Sequence, residues 1–258
     1  MMRADVYLVN FGFAKSRESA RRSIEAGLVS VDGKCITKPS EKIEETIEHT
    51  VKCESSIPYV GRGGLKLEAA LDAFCVDTIG KVCIDVGAST GGFTDCLIRR
   101  GAERVYAVDS GHGQLASELL ANNKVVSLEG INARFLNREI IPELCDIIVM
   151  DVSFISQTLI IPRFADLMSD GGVVITLIKP QFECGREAIG KGGIVKKPEH
   201  RLAAIRKVFA SAKEYGLYPH ALIRSPIVGG DGNVEFLALF SKNPAYADEM
   251  LLATINIY

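Results

Sequence analysis

The chain has 258 residues, 47% of them hydrophobic and 24% charged, with a formal net charge of −2. That length and balance exclude a disordered polymer and accommodate one large α/β domain, with or without a smaller companion. No apolar run approaches the ~18 residues a bilayer crossing needs, and a near-neutral total means that any basic surface must be sought segment by segment.

The seven cysteines are scattered and contain no C-x-x-C pair, which fits free thiols in a reducing cytoplasm. The four histidines, His49, His112, His200 and His220, stand apart from one another and from the cysteines, so no metal site is expected. Asp5 falls where a secretion signal would begin its apolar core, and the expected location is cytoplasmic.

In chain order, Val6, Leu8 and Val9 begin a helix that ends at Gly12. Ser16 caps a second helix, in which Ala20, Ile24 and Leu28 recur at helical spacing and which Gly27 stops. Val29-Ser30-Val31 and Lys34-Cys35-Ile36 flank Asp32-Gly33, a pair that adopts positive φ readily, so a hairpin follows. From Arg3 to Ser40 there are seven Lys or Arg against four Asp or Glu, with Arg17, Arg21 and Arg22 crowded on the second helix. Such a face suits a phosphate backbone, or simply water.

Asp5, Leu8, Ser16-Arg17-Glu18-Ser19-Ala20-Arg21, Ile24, Gly27, Val29, Val31-Asp32-Gly33 and Lys38-Pro39-Ser40, in that order, resemble the RNA-binding domain named after ribosomal protein S-four. The resemblance implies a small α/β RNA-binding domain, expected to span residues 1–58 and to close after the acidic stretch Glu41 to Glu48 and the apolar segment Val51 to Ile57. Its expected RNA contacts are Arg3, Arg17, Arg21, Arg22, Lys34 and Lys38, joined by Arg62. Residues 59–64, rich in glycine, read as a linker, and residues 65–258 as the second domain.

That second domain opens on a helix striped by Leu65, Leu67, Ala70, Leu71 and Phe74, with Lys66 in its first turn. Val82-Cys83-Ile84 then reaches Asp85 and breaks into Gly87-Ala88-Ser89-Thr90-Gly91-Gly92-Phe93, and a second run, Val105 to Val108, ends in Asp109. Strand, glycine turn, helix and acid-tipped strand form a nucleoside-binding pattern, although a glycine turn of this kind also serves as a plain tight connection. Further apolar runs at Val125 to Leu128, Ile147 to Met150, Val173 to Ile178, Ala221 to Ile227 and Val234 to Phe240 continue the rhythm. Helical stretches separate most of them, so the sheet is expected to be doubly wound. Only Gly229-Gly230-Asp231-Gly232 joins the last two runs, too short for a crossover helix, so the seventh strand is expected to be antiparallel.

Ligands collect outside the carboxyl ends of strands in such a sheet. Asp85, Asp109, Asp151 and Lys179 close four of the runs, and Glu235 opens the reversed last one, so all five are expected on one rim. Taken singly, each is equally a turn or cap residue.

Five stretches decide more. Gly63-Gly64-Leu65-Lys66-Leu67, Asp85 through Asp95, Asp151-Val152-Ser153-Phe154-Ile155-Ser156, Ile178-Lys179-Pro180-Gln181-Phe182-Glu183 and Gly232-Asn233-Val234-Glu235-Phe236-Leu237 resemble the TlyA branch of the FtsJ-like methyltransferases. Gly61, where that family suggests serine, is a departure outside the catalytic set. The resemblance implies a Rossmann-like methyltransferase sheet, S-adenosylmethionine as cofactor and a ribose 2′-hydroxyl of ribosomal RNA, on a cytidine within a ribosomal subunit, as acceptor. It places the catalytic set on Lys66, Asp151, Lys179 and Glu235. Cofactor contacts fall on Asp85, Gly87, Ser89, Thr90, Gly91, Gly92, Phe93, Asp109 and Asp151, with Asn132 at the adenine edge.

The residue types suit that chemistry. A ribose hydroxyl must lose its proton as its oxygen attacks, and a lysine crowded by a second lysine and partly buried gives up its own proton more readily. Lys179 is therefore the expected base, with Asp151 and Glu235 holding the two ammonium groups. Alternatives on the same scaffold are a catalytically silent assembly factor and a membrane-lytic protein, since older usage calls members of this branch haemolysins. Lys34 to Val51 and Lys191 to Arg206 lack the amphipathic apolar face lysis would need.

Overall fold

The computed structural model describes residues 1–14, 16–25, 28–53, 58–229, 232–244, 248–253 and 255, with the side chains of Arg22 and Glu25 outside the description. Gly27, the Glu54 to Ile57 end of the expected apolar segment, and Gly230-Asp231 also lie outside it. The chain divides into two compact units, Met1–Pro58 and Tyr59–Tyr258.

In the first unit, helices Ala4–Asn10 and Arg17–Glu25 precede a three-stranded antiparallel sheet. Ser16 Oγ accepts the backbone N–H of Ser19 at 3.1 Å, the cap that starts the second helix. Asp32 (φ 49°) and Gly33 (φ 77°) turn the chain between Val29–Val31 and Lys34–Cys35, as the Asp-Gly pair requires. Val51–Cys53 pairs with the other edge of Val29–Val31. A two-residue pairing of Met2–Arg3 with Lys42–Ile43 lies inside a stretch whose charges conceal it. Ala4, Leu8, Ala20, Ile24, Val29, Val31, Ile36 and Ile43 make a small core.

In the second unit, strands β1 (Val82–Val86), β2 (Arg104–Asp109), β3 (Val125–Glu129), β4 (Cys145–Met150), β5 (Met168–Ile178), β6 (Tyr218–Arg224) and β7 (Phe236–Ser241) form one seven-stranded sheet among the described residues. Their spatial order is β6-β7-β5-β4-β1-β2-β3. Strand β7 runs antiparallel to both β5 and β6, and the remaining pairs are parallel, so the expected sheet is the one observed. The central strands are buried on both faces, which is why they read as continuous apolar runs. Phe164, Phe209, Phe236 and Phe240 are fully buried, each contributing on the order of 1.5–3 kcal/mol by the usual transfer scale. The Phe209 and Phe240 rings meet edge to face at 5.5 Å.

The structure corrects several boundaries. Strand β5 starts at Met168, upstream of the expected Val173, through a register shift that apolar periodicity does not reveal. Strand β6 ends at Arg224 and not at Ile227, because its pairing with β7 stops where Arg224 meets Phe236. Glu235 thus immediately precedes β7, and its carbonyl accepts the N–H of Ser225 at 2.9 Å.

Residues 59–64 are not a free linker. Helix α1 (Gly63–Ala73) already includes Gly63 and Gly64, Tyr59 is buried and donates to Glu68 at 2.7 Å, and the Val60 N–H donates to Asp95 at 2.9 Å. A Cβ on Gly64 would lie 2.2 Å from the Tyr59 ring, so the glycine there permits close packing. Among the described residues no helix is long and apolar enough to cross a membrane.

Candidate functional site

Strand register builds the site. Val86 pairs with Val108 and Met150, and Ile178 pairs with Phe236. One step outward at this rim stand Gly87, Asp109, Asp151, Lys179 and Glu235, drawn from five strand ends. Lys66 joins them from the first turn of α1.

Each lysine has its own carboxylate. Lys66 Nζ lies 2.5 Å from Glu235 Oε2, and both side chains are buried. Lys179 Nζ lies 2.6 Å from Asp151 Oδ1 and donates to Ser153 Oγ at 2.8 Å. Ser153 was not assigned from sequence, although it belongs to a stretch that carries the family resemblance.

Beside these pairs lies a cavity of about 450 Å³, lined in part by Gly87, Ser89, Asp109, Asn132, Asp151 and Phe154. It adjoins a second cavity of about 270 Å³ that shares Gly87, Ser89, Asp151 and Ser153 and is lined further by residues that include Gly61, Arg62, Gly63, Thr90, Gly92, Phe93 and Lys179. Their sizes bracket the lower range of small-molecule sites. Lys66 and Glu235 do not line either one.

The glycine turn is shaped for close approach. Gly87 has φ 86°, and a Cβ there would lie 2.5 Å from the Asp151 carbonyl oxygen. Gly92 lets helix α2 (Gly92–Arg99) approach the start of α1, since its Cβ would meet Gly64 N at 3.0 Å. Gly91 serves packing: at φ 96° its Cβ would collide with Leu119 and Leu115, and it lines neither cavity.

Asp109 lines the larger cavity and accepts the N–H groups of Ser89 (2.8 Å) and Gly111 (2.7 Å), which fixes the loop around it. Asn132 lines the same cavity, with its Oδ1 accepting Arg134 N–H at 3.1 Å. Asp85 lines neither cavity and is fully buried beneath the turn. Its Oδ2 accepts both the N–H and the hydroxyl of Thr94, while Oδ1 has no hydrogen-bond partner among the described residues. Burial, reinforced by Asp151 and Asp109 and opposed by Thr94, pushes its carboxyl up to about 7.

In the amino-terminal unit, two of the arginines read from sequence, Arg3 and Arg17, are organised by one carboxylate. Buried Asp5 accepts from Arg3 at 2.9 Å and from Arg17 at 3.0 Å, and these bonds hold its carboxyl below the usual range. Lys34 and Lys38 are exposed, as is Arg21. Arg62 belongs to the second unit and donates to the Val228 carbonyl at 3.0 Å. Arg22 is helical, but its side chain lies outside the described residues.

The FtsJ-like methyltransferase family matches residues 59–242, and the S4 domain family matches residues 2–46. The 16S/23S rRNA (cytidine-2′-O)-methyltransferase TlyA of Mycobacterium tuberculosis is 42% identical over 91% of this chain and 87% of its own. Hemolysin A of Brachyspira hyodysenteriae is 41% identical over 93% of this chain and 99% of its own. A solved structure from Streptococcus thermophilus, also labelled a hemolysin, superposes with a TM-score of 0.74 at 40% identity and covers 98% of this chain and 94% of its own.

Proposed function

The chain belongs to the FtsJ-like methyltransferase family, and we propose that it methylates a ribose 2′-hydroxyl of ribosomal RNA, on a cytidine within a ribosomal subunit in the cytoplasm. The observation that carries this reading is the Lys179–Asp151 pair lining a glycine-walled cavity, with the buried Lys66–Glu235 pair at the same strand rim. S-adenosylmethionine, when bound, supplies an electrophilic methyl group on a sulfonium. The residues fit that donor: Gly87, Ser89 and Asp109 line the adjoining cavities and offer it backbone and a carboxylate. Gly87, Ser89, Thr90, Gly92 and Phe93 would hold the methionine portion, Asp109 the ribose and Asn132 the adenine edge.

Lys179 Nζ takes the proton of the ribose hydroxyl as that oxygen attacks. Asp151 and Ser153 hold its Nζ in place and stabilise the ammonium that results. Lys66, anchored by Glu235, contributes fixed positive charge to the developing alkoxide without having to reorganise. Arg3, Arg17, Arg21, Lys34 and Lys38 bind RNA phosphates through the amino-terminal unit, with Arg62 contributing from the rim.

Mass mapping of ribosomal RNA from cells with and without this protein tests the reading. One ribose methyl group missing in its absence is the expected result. Identical maps, together with no methyl transfer to isolated ribosomal subunits, would remove the enzymatic reading and favour a silent assembly factor.

A further inference from the structure

Lys179 and its partners sit on two separate loops. Lys179 follows β5 and enters the helical turn Pro180–Glu183, whereas Asp151 and Ser153 lie in the segment after β4 that leads to Ser156 and Gln157. Nothing in either segment alone fixes one against the other to the tolerance that proton transfer demands.

We propose that Glu183 is a positioning residue for methyl transfer, its buried carboxylate stapling the loop that carries Asp151 and Ser153 to the turn that carries Lys179. The inference rests on the reading of Lys179 as the base. Glu183 is 4% exposed. Its Oε1 accepts the Gln157 N–H at 2.7 Å and its Oε2 accepts the Ser156 hydroxyl at 2.5 Å, so both oxygens reach across to the neighbouring loop. Gln157 extends the staple to β5: its Nε2 donates to the Leu177 carbonyl at 2.6 Å, and the Thr176 hydroxyl donates to its Oε1 at 2.7 Å. Lys207, on helix α3 (Pro198–Glu214), lies 3.4 Å from Glu183 Oε2 and donates to the Glu183 carbonyl at 2.9 Å.

Energetics favour a geometric role over a stabilising one. Burial pushes the Glu183 carboxyl up, and bonds from Ser156, Gln157 and Lys207 only partly offset it. Buried charges of this kind are often no more stabilising than an apolar replacement, so their benefit lies in the conformation they select. That benefit is large at a reacting centre, where a misplacement of about 1 Å costs about 10²-fold in rate.

A double-mutant cycle on the full chain tests this, with single-turnover methyl transfer to ribosomal subunits and calorimetric S-adenosylmethionine affinity as readouts. Glu183→Ala should lower the transfer rate by about 10- to 100-fold while cofactor affinity stays within about twofold. Glu183→Gln, which keeps an acceptor for the Gln157 N–H and a polar group for Ser156, should recover most of the rate. In a Lys179→Ala background Glu183→Ala should cost nothing further, because there is no base left to position. If Glu183→Ala fails to fold, Ser156→Ala removes one arm of the staple and should show a smaller loss with the same coupling. A native rate in Glu183→Ala, or equal losses in both backgrounds, overturns the proposal. Near-native transfer by Lys179→Ala alone instead removes the base assignment on which it rests.

Discussion

Two cationic regions of this protein treat their cations in opposite ways. At the methyltransferase rim each lysine is matched by one carboxylate, and the Lys66 and Glu235 side chains are only 10% and 3% exposed. In the amino-terminal unit two arginines share the single carboxylate of Asp5, and Arg17 keeps 63% of its side chain in water. For Lys66 and Glu235, one-to-one pairing out of solvent gives a fixed charge that does not reorganise, which suits stabilisation of developing charge. Two-to-one sharing at the surface leaves net positive charge with defined geometry, which suits phosphate binding.

Breaking the buried pair should produce the largest effect. Glu235→Ala leaves Lys66 buried without a partner and should cost about 3–5 kcal/mol of unfolding free energy, whereas Lys66→Met with Glu235→Leu should recover most of it. Urea titration reads both, and an unchanged midpoint for Glu235→Ala would mean that the pair does not persist in solution.

Next comes the exchange that retains charge while removing the ability to titrate. Lys179→Ala should fold, bind cofactor and RNA, and lose about 10²-fold or more of methyl transfer. Lys179→Arg should fail similarly, because a guanidinium stays protonated at accessible pH. Near-native turnover of the arginine variant would leave Lys179 an electrostatic role only.

The surface side of the comparison predicts a graded effect. Arg17→Ala with Arg21→Ala should weaken RNA binding and lower the slope of log affinity against log salt by about 2, with cofactor affinity unchanged. RNA binding that survives unaltered at every salt concentration would reduce this helix to a solvated face.

The remaining expected effects are pH dependences, and they have the same sign in both units. The Asp85 carboxyl is raised to about 7, so it takes up a proton on folding. Its contribution is therefore complete below the unfolded value of about 4 and is lost as pH rises through about 7. His49 is raised chiefly by its bond to Asp32, with a second bond to the Glu44 carbonyl, so both ring nitrogens find acceptors and the charged ring is favoured. Its contribution is present below about 6.5 and disappears as pH climbs through the higher folded value. Asp85→Asn should flatten the loss of stability of the second unit between about pH 4 and 7, and His49→Gln the loss of the first unit above about 6.5. Urea midpoints across pH that are no flatter in these variants would assign the dependence to other groups.

By itself the sequence determined the elements and what each strand end would carry. Apolar periodicity located the strands, and the Asp32-Gly33 turn and the Gly87 to Phe93 turn followed from backbone conformations few other residues adopt; the reversed last strand was expected from a short Gly229 to Gly232 connection, but the observed connection runs from residue 225 to 235. Those features are local, because φ preferences and spacing act within a few residues. Only the tertiary structure decided which lysine meets which acid. Lys66 and Glu235 are 169 positions apart, and their contact depends on how α1 packs and on the register of β7. Packing also decided that Tyr59 to Gly64 belongs to the second unit, that Gly91 serves Leu115 and Leu119, and that Glu183 spans two loops. Such partners are invisible in one dimension because a buried charge is satisfied by whichever group the fold brings within about 3 Å, and sequence spacing does not encode that distance.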